Sequence, residues 1–355
     1  MAPRSFVGSR AVQRARRASR ARLRVAAVLV ALCAASVSMT VPAAATPPGD
    51  NGRIAYKVYL DADLSTSAIF TMRSDGSRPR QITFPDAGTQ DDQPDWSPDG
   101  SLIAFQRCAP DTSCAIYTVR PDGTRLHRLS APCDSNEPGQ CEDESTVAFL
   151  PDGHRVVFTR ATGSVREFAD TAFIEHSDIV IRDLSGRHAR VVLRGRPFAG
   201  DNEQMVVSPD GRHIAFQRHN SPLADPAGGI AIFVMRSDGT HLQRLTPWSL
   251  RAGISPDWSP DGRWILFRSN ADGGGIDSQF YVIRPDGRGL RAVTAVGADT
   301  KLYSASFSPD GRQIVYGRGG VNDLPDLYTV RTDGSRSVPV SVTPGWESSP
   351  DWGPR

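Results

Sequence analysis

PDWSPDGSLIAFQR, residues 94–107, decides the fold of this chain. The phrase joins a short arm to the apolar run Leu102-Ile103-Ala104-Phe105 through a Pro98-Asp99-Gly100 corner. Proline presets φ for such a corner, and glycine supplies the positive φ that tight turns between twisted strands often require. Uninterrupted apolarity in the second arm predicts a strand buried on both faces. The phrase returns as VAFLPDGHRVVFTR (147–160), MVVSPDGRHIAFQR (205–218), PDWSPDGRWILFRS (256–269) and ASFSPDGRQIVYGR (305–318).

A sixth copy is split between the two ends. SSPDWGPR (348–355) holds its first half and NGRIAYKV (51–58) its second. A second turn series alternates with the first: Asp-Gly pairs end at Gly76, Gly123, Gly239, Gly287 and Gly334, with the variant IRDLSG ending at Gly186. Each unit reads as four strands. In the second unit these are residues 94–97, 102–107, 115–120 and 125–130, and the long connection 161–178 of the third unit reads as a loop. A period near fifty residues with four strands per unit predicts an all-β, six-bladed β-propeller. Its ring would be sealed where the C-terminal strand pairs beside the N-terminal one, which removes unpaired sheet edges.

Trp96, Trp258, Trp352, Phe149 and Phe307 stand just before the first turn, with Val207 at the same place in the fourth unit. Packing between neighbouring units is their expected role.

Ahead of the repeats, residues 1–24 carry eight arginines and no acid. An apolar run follows at 25–39, and then Ala43-Ala44-Ala45, an A-x-A cleavage pattern. Residues 1–45 therefore read as a secretory signal peptide, and 46–355 as a single propeller domain. The apolar run falls short of the roughly twenty residues that span a bilayer as a helix, so the mature chain is expected to lack a transmembrane segment; a retained anchor is the rival. The destination is outside the cytoplasm: periplasmic, envelope-associated or secreted. Without its eight leader arginines the chain has 33 basic and 39 acidic residues, a net charge of minus six. Nucleic acid is then excluded as a partner, and a monomer is expected.

Four cysteines remain, Cys108, Cys114, Cys133 and Cys141. In an oxidising compartment they predict disulfides, nearest neighbours pairing first, although three connectivities are open. Spacings of five and seven intervening residues do not match a zinc site.

These phrases resemble the repeats of the TolB propeller family, in P-x-W/F-S-P-D-G-x-x-I-A-F and I-Y-x-x-x-x-D-G form, from about Asn51 to Arg355. The resemblance implies an exported six-bladed propeller and, by analogy with TolB, a role in docking partners of the cell envelope. Only the leader and the repeats are expected here, without the α/β domain that precedes the repeats in TolB, so the resemblance is not extended to the outer-membrane role. Repeats of this type also occur in peptidases and sugar lyases, and fold alone does not decide function.

Aligning the first strands on their turn prolines puts Asp91 and Asp92 level with Glu144, Glu203 and Glu347, with Asp143 and Asp201 one step earlier. Arg251 and Lys301 fall nearby in the fifth and sixth units. The reading is an acidic mouth for ligand binding, made by Asp91, Asp92, Glu144, Asp201, Glu203 and Glu347. Its competitor is a set of internal ion pairs to Arg107, Arg160, Arg218 and Arg318, which recur two residues after the second-strand aromatic.

No nucleophile elbow, zinc helix or phosphate loop occurs in the sequence, and no catalytic residue is assigned. Residues 61–65 and 270–273 faintly resemble calcium loops but lack the spaced bidentate glutamate. No cofactor is expected, calcium being the one candidate. The function expected is an exported binding or scaffold propeller engaging an envelope protein, a peptide or a carbohydrate. The alternative is a propeller lyase or hydrolase, with His176 and His219 as the histidines to watch.

Overall fold

In a computed structural model of the chain, the described residues are 46–110, 114–130, 143–162, 166–168, 171–173, 176–195, 201–220, 229–269, 278–294, 300–320, 323–341 and 345–355. All belong to one compact unit, Pro42–Arg355. The unit is all-β, interrupted among these residues by a single 3-10 turn at Trp248–Leu250.

Among the described residues the pairing gives one eight-stranded sheet, which a single parallel bridge divides into two four-stranded groups, and four further four-stranded groups that follow in chain order. The first joins Glu347–Pro354, Asn51–Tyr59, Ser67–Arg73 and Arg80–Gln81. The second, third and fourth open with Gln90–Trp96, Asp143–Phe149 and Asn202–Val207, and the fifth and sixth with Ala252–Trp258 and Thr300–Phe307. Neighbours within each group are antiparallel, and one parallel bridge, Ser67 to Gln90, links the first two. The last strand lies beside the first, with Ile54 opposite Trp352 and Val58 opposite Glu347. The two halves of the split phrase therefore do meet.

The corner chemistry is local. Ser97 Oγ donates to Asp99 Oδ1 at 2.7 Å, the Leu102 amide donates to Ser97 Oγ at 2.9 Å, and Gly100 takes φ 66°. The same serine-to-aspartate bond recurs at 2.6 Å in Ser208–Asp210, Ser259–Asp261 and Ser308–Asp310. These side chains satisfy turn amides that no ladder reaches.

Six apolar clusters each join one group to the next. Trp96 packs with Ile69 and Ile82 of the first group and Phe105 of the second, and Phe149 packs with Ile116. Trp258 packs with Val206 and Ile232, and Phe307 with Leu266 and Phe280. Trp352 meets Val315 and Leu327 of the sixth group together with Ile54 and Met72 of the first. The residues preceding the first turn are thus buried between sheets, as expected, and each such burial contributes roughly 1.5–3 kcal/mol.

Three expectations need correction. The first strand of the second group starts at Gln90 and runs through a bulge between Asp92 and Asp95, rather than starting at residue 94. Its fourth strand is only His127–Arg128, because Arg125 has φ 56° and cannot extend the ladder. The connection 161–178 is not all loop. The flanking strands extend to Thr162 and back from His176, and a small hairpin pairs Arg166–Phe168 with Thr171–Phe173.

Candidate functional site

All six first strands contribute to one narrow central space of about 90 Å³. Its lining includes Gln93, Asp95, Thr146, Gln204, Asp257 and Asp351. Each of these strands carries a register shift here. Gln93, Thr146, Gln204, Ser255 and Ser349 adopt φ between 50° and 55°, an uncommon conformation for non-glycine residues. A bulge releases amides from the ladder, and side chains take them. Asp92 Oδ1 accepts from the Gln93 amide at 2.7 Å, and Gln106 Oε1 from the Thr146 amide at 2.9 Å.

The aspartates of the three Pro-Asp-Trp segments reach across to the next sheet. Asp351 Oδ2 accepts the Trp96 amide, Asp95 Oδ2 the Phe149 amide and Asp257 Oδ2 the Phe307 amide, each at 2.7 Å. Among the described residues none of the three forms an ion pair with a cationic side chain. Desolvation raises all three. Asp257 is pushed up to about 7 and Asp351 to about 6, and Asp95 lies well above the usual carboxylate range, with the charges of Asp351 and Asp257 adding to its burial. Sequence reading passed over this triad, although the repeated P-D-W was its signal.

The predicted acidic mouth resolves into separate arrangements. Asp91 is fully buried and forms a bidentate pair with Arg107 at 2.6 and 2.7 Å. Asp92 pairs with Lys57 at 2.6 Å. Glu144 is buried between Ser130 Oγ at 2.6 Å and the two terminal nitrogens of Arg182, at 2.6 and 2.5 Å. Arg182 was not foreseen, because the ladder places Arg160 opposite Glu144, whereas Arg160 lies 3.7 Å from Asp178. Glu347 is buried and accepts the Ser341 hydroxyl. Arg218 donates to Asn202 Oδ1 at 2.7 Å.

Asp201 and Glu203 differ from the others. Glu203 Oε2 accepts from Gln217 Nε2 at 3.0 Å and lies 3.6 Å from His219 Nε2, with both Glu203 and His219 partly open to solvent. Asp201 Oδ1 is buried without a hydrogen-bond partner. Burial first, and the Glu203 charge second, push the Asp201 carboxyl up to about 6. Asp201 immediately precedes the strand Asn202–Val207, and Glu203 is its second residue, opposite Gln217 near the end of His213–Asn220.

The TolB β-propeller domain model matches residues 164–318. The chain carries a TolB-like β-propeller. The TolB-like chain is 25% identical to an uncharacterized protein of Agrobacterium fabrum over 226 residues, 63% of this chain and 64% of that one. It is 30% identical to the Tol-Pal system protein TolB of Anaeromyxobacter dehalogenans over 99 residues, 28% of this chain and 21% of the relative. It thus spans less than two thirds of either relative. The crystal structure of TolB from Acinetobacter baumannii superposes with a TM-score of 0.64 at 22% identity, over 87% of this chain and 68% of the other, a likeness of fold.

Of the remaining sequence assignments, Cys108 and Cys114 form a disulfide. Cys133 and Cys141 lie outside the described residues, as do residues 270–273. Asp61 is occupied within its own loop, accepting from the Ser65 and Thr66 amides at 2.8 and 3.1 Å. His176 opens a strand opposite Thr162. Among the described residues no group of three His, Cys, Asp or Glu side chains has the mutual geometry to hold a metal ion, and no helix is long and apolar enough to cross a membrane.

Proposed function

We propose that the chain is an exported six-bladed propeller, closed by its own two ends, that binds a basic segment of an envelope protein through Asp201 and Glu203. Pairing of the last strand with the first, and the apolar cluster joining the sixth group to the first, support the closed ring. The arginine-rich, apolar leader ending in A-x-A supports export.

The observation that carries the binding reading is the difference between acids. Asp91, Asp92 and Glu144 already have cations, whereas Asp201 keeps an unpartnered buried oxygen beside the negative charge of Glu203. A lysine or arginine from a partner would supply the missing hydrogen bond and relieve the repulsion between the two carboxylates. Calorimetric titration with a short lysine-rich peptide, with an uncharged oligosaccharide alongside, tests this. Asp201→Asn with Glu203→Gln is expected to weaken peptide binding by about tenfold or more, and native binding should strengthen as pH rises through 6. Equal binding by native and variant chains, or binding of the sugar alone, would refute the assignment.

A further inference from the structure

Thr46 is the first described residue of the chain, and it is not on the surface. It is 4% exposed, and its hydroxyl donates to Asp257 Oδ2 at 2.9 Å, across 211 positions of sequence. Pro47 is buried behind it, the Gly49 amide donates to the Pro309 carbonyl at 3.1 Å, and the Asp310 amide donates to Asn51 Oδ1 at 3.1 Å. Residues 46–51 are therefore laid between the fifth and sixth sheets, with their leading end at the aspartate triad. Independently, the A-x-A pattern ends at Ala45. Cleavage site and anchored residue are adjacent in the chain.

We propose that leader removal after Ala45 creates the missing counter-ion of the central aspartates, the α-ammonium group of Thr46, and that the new terminus docks as a permanent plug against Asp257. The proposal rests on the export reading above. Hydrolysis adds water across the Ala45–Thr46 amide: hydroxyl goes to the Ala45 carbonyl carbon, a proton goes to the Thr46 nitrogen, and the amine takes up a second proton from solvent. A neutral peptide nitrogen becomes a cation. Covalent geometry holds that nitrogen about 3 to 4 Å from the threonine hydroxyl oxygen, so it lies within about 7 Å of the Asp257 carboxylate, close enough for strong charge coupling in a buried site.

One cation serves the whole triad because the three carboxylates sense one another. Asp351 acts on both Asp95 and Asp257, and Asp257 acts on Asp95. Their remaining hydrogen bonds come from backbone amides and from the Ser306 and Thr46 hydroxyls, which solvate a carboxylate without neutralising it. The uncut chain has neither the charge nor a free end at this position.

An N-terminal threonine is a vicinal amino alcohol, which periodate cleaves to a glyoxylyl group, whereas an internal threonine is inert. A chain starting at Thr46 is expected to react at least about tenfold more slowly when native than in denaturant, as buried groups do. It should melt several degrees above the same chain carrying one extra glycine ahead of Thr46. Asp257→Asn, which keeps an acceptor for the Phe307 amide, should abolish that difference. Equal periodate rates in the native and denatured states, or equal melting with and without the glycine, would overturn docking. The intact mass of the full chain exported with its own leader reports cleavage separately: a first residue other than Thr46 overturns the link to processing, whatever the docking measurements show.

Discussion

The Trp96 amide donates to Asp351 Oδ2 at 2.7 Å, joining residues 255 positions apart. This bond ties the last strand to the second sheet, while the same strand pairs with the first sheet through Ile54 and Trp352. The C-terminal segment is thus held from two sides. Asp351→Ala leaves a buried amide without an acceptor and is expected to cost about 1–3 kcal/mol in urea unfolding. Asp351→Asn should cost clearly less.

Asp257 and Asp351 hold their protons more tightly folded than unfolded, with pKa values near 7 and 6 against an ordinary 3.8. Their stabilising contribution is complete below about pH 3.8 and is lost as pH climbs through 6 to 7. In a chain extended ahead of Thr46, Asp257→Asn should therefore gain in melting temperature relative to the native residue between pH 5 and 8. A constant difference across that range would show that Asp257 ionises normally.

Arg182 neutralises a carboxylate that is almost wholly buried. Arg182→Met strands Glu144 and is expected to destabilise by about 3–5 kcal/mol, with much of this recovered when Glu144→Gln is added. Chemical denaturation of the two singles and the double provides the cycle.

Gly239 and Gly287 occupy the same turn in different sheets, with φ of 90° and 81°. A Cβ at Gly239 would overlap the Val192 carbonyl, while one at Gly287 meets nothing nearby. Gly287→Ala should cost about 1–2 kcal/mol from backbone conformation alone, and Gly239→Ala distinctly more. Equal melting shifts for the two would contradict the packing of the third sheet against this turn.

The Cys108–Cys114 bond closes a loop with a sequence separation of six. Replacing both cysteines with serine is expected to remove about 2 kcal/mol by the loop-entropy relation, without altering peptide binding at Asp201. Urea midpoints and calorimetry on the same sample check both statements.

The sequence by itself determined what repeats. Proline, aspartate and glycine at each corner, an apolar run after it and an aromatic before it recur about every fifty residues, and each acts on neighbours a few positions away. The split copy even located the pairing of the two ends. The acids were legible as a level set: the strand register does put Asp91 opposite Arg107 and Glu144 opposite Arg160. Their partners were not. Glu144 takes Arg182 from two strands away, Asp201 Oδ1 is buried without a hydrogen-bond partner, and Asp95, Asp257 and Asp351 meet at one centre from three distant segments. Turns and strands follow from local backbone chemistry, which sequence records directly. Desolvation and charge pairing depend on which surfaces the packing of sheet against sheet brings together, and only the tertiary structure decides that.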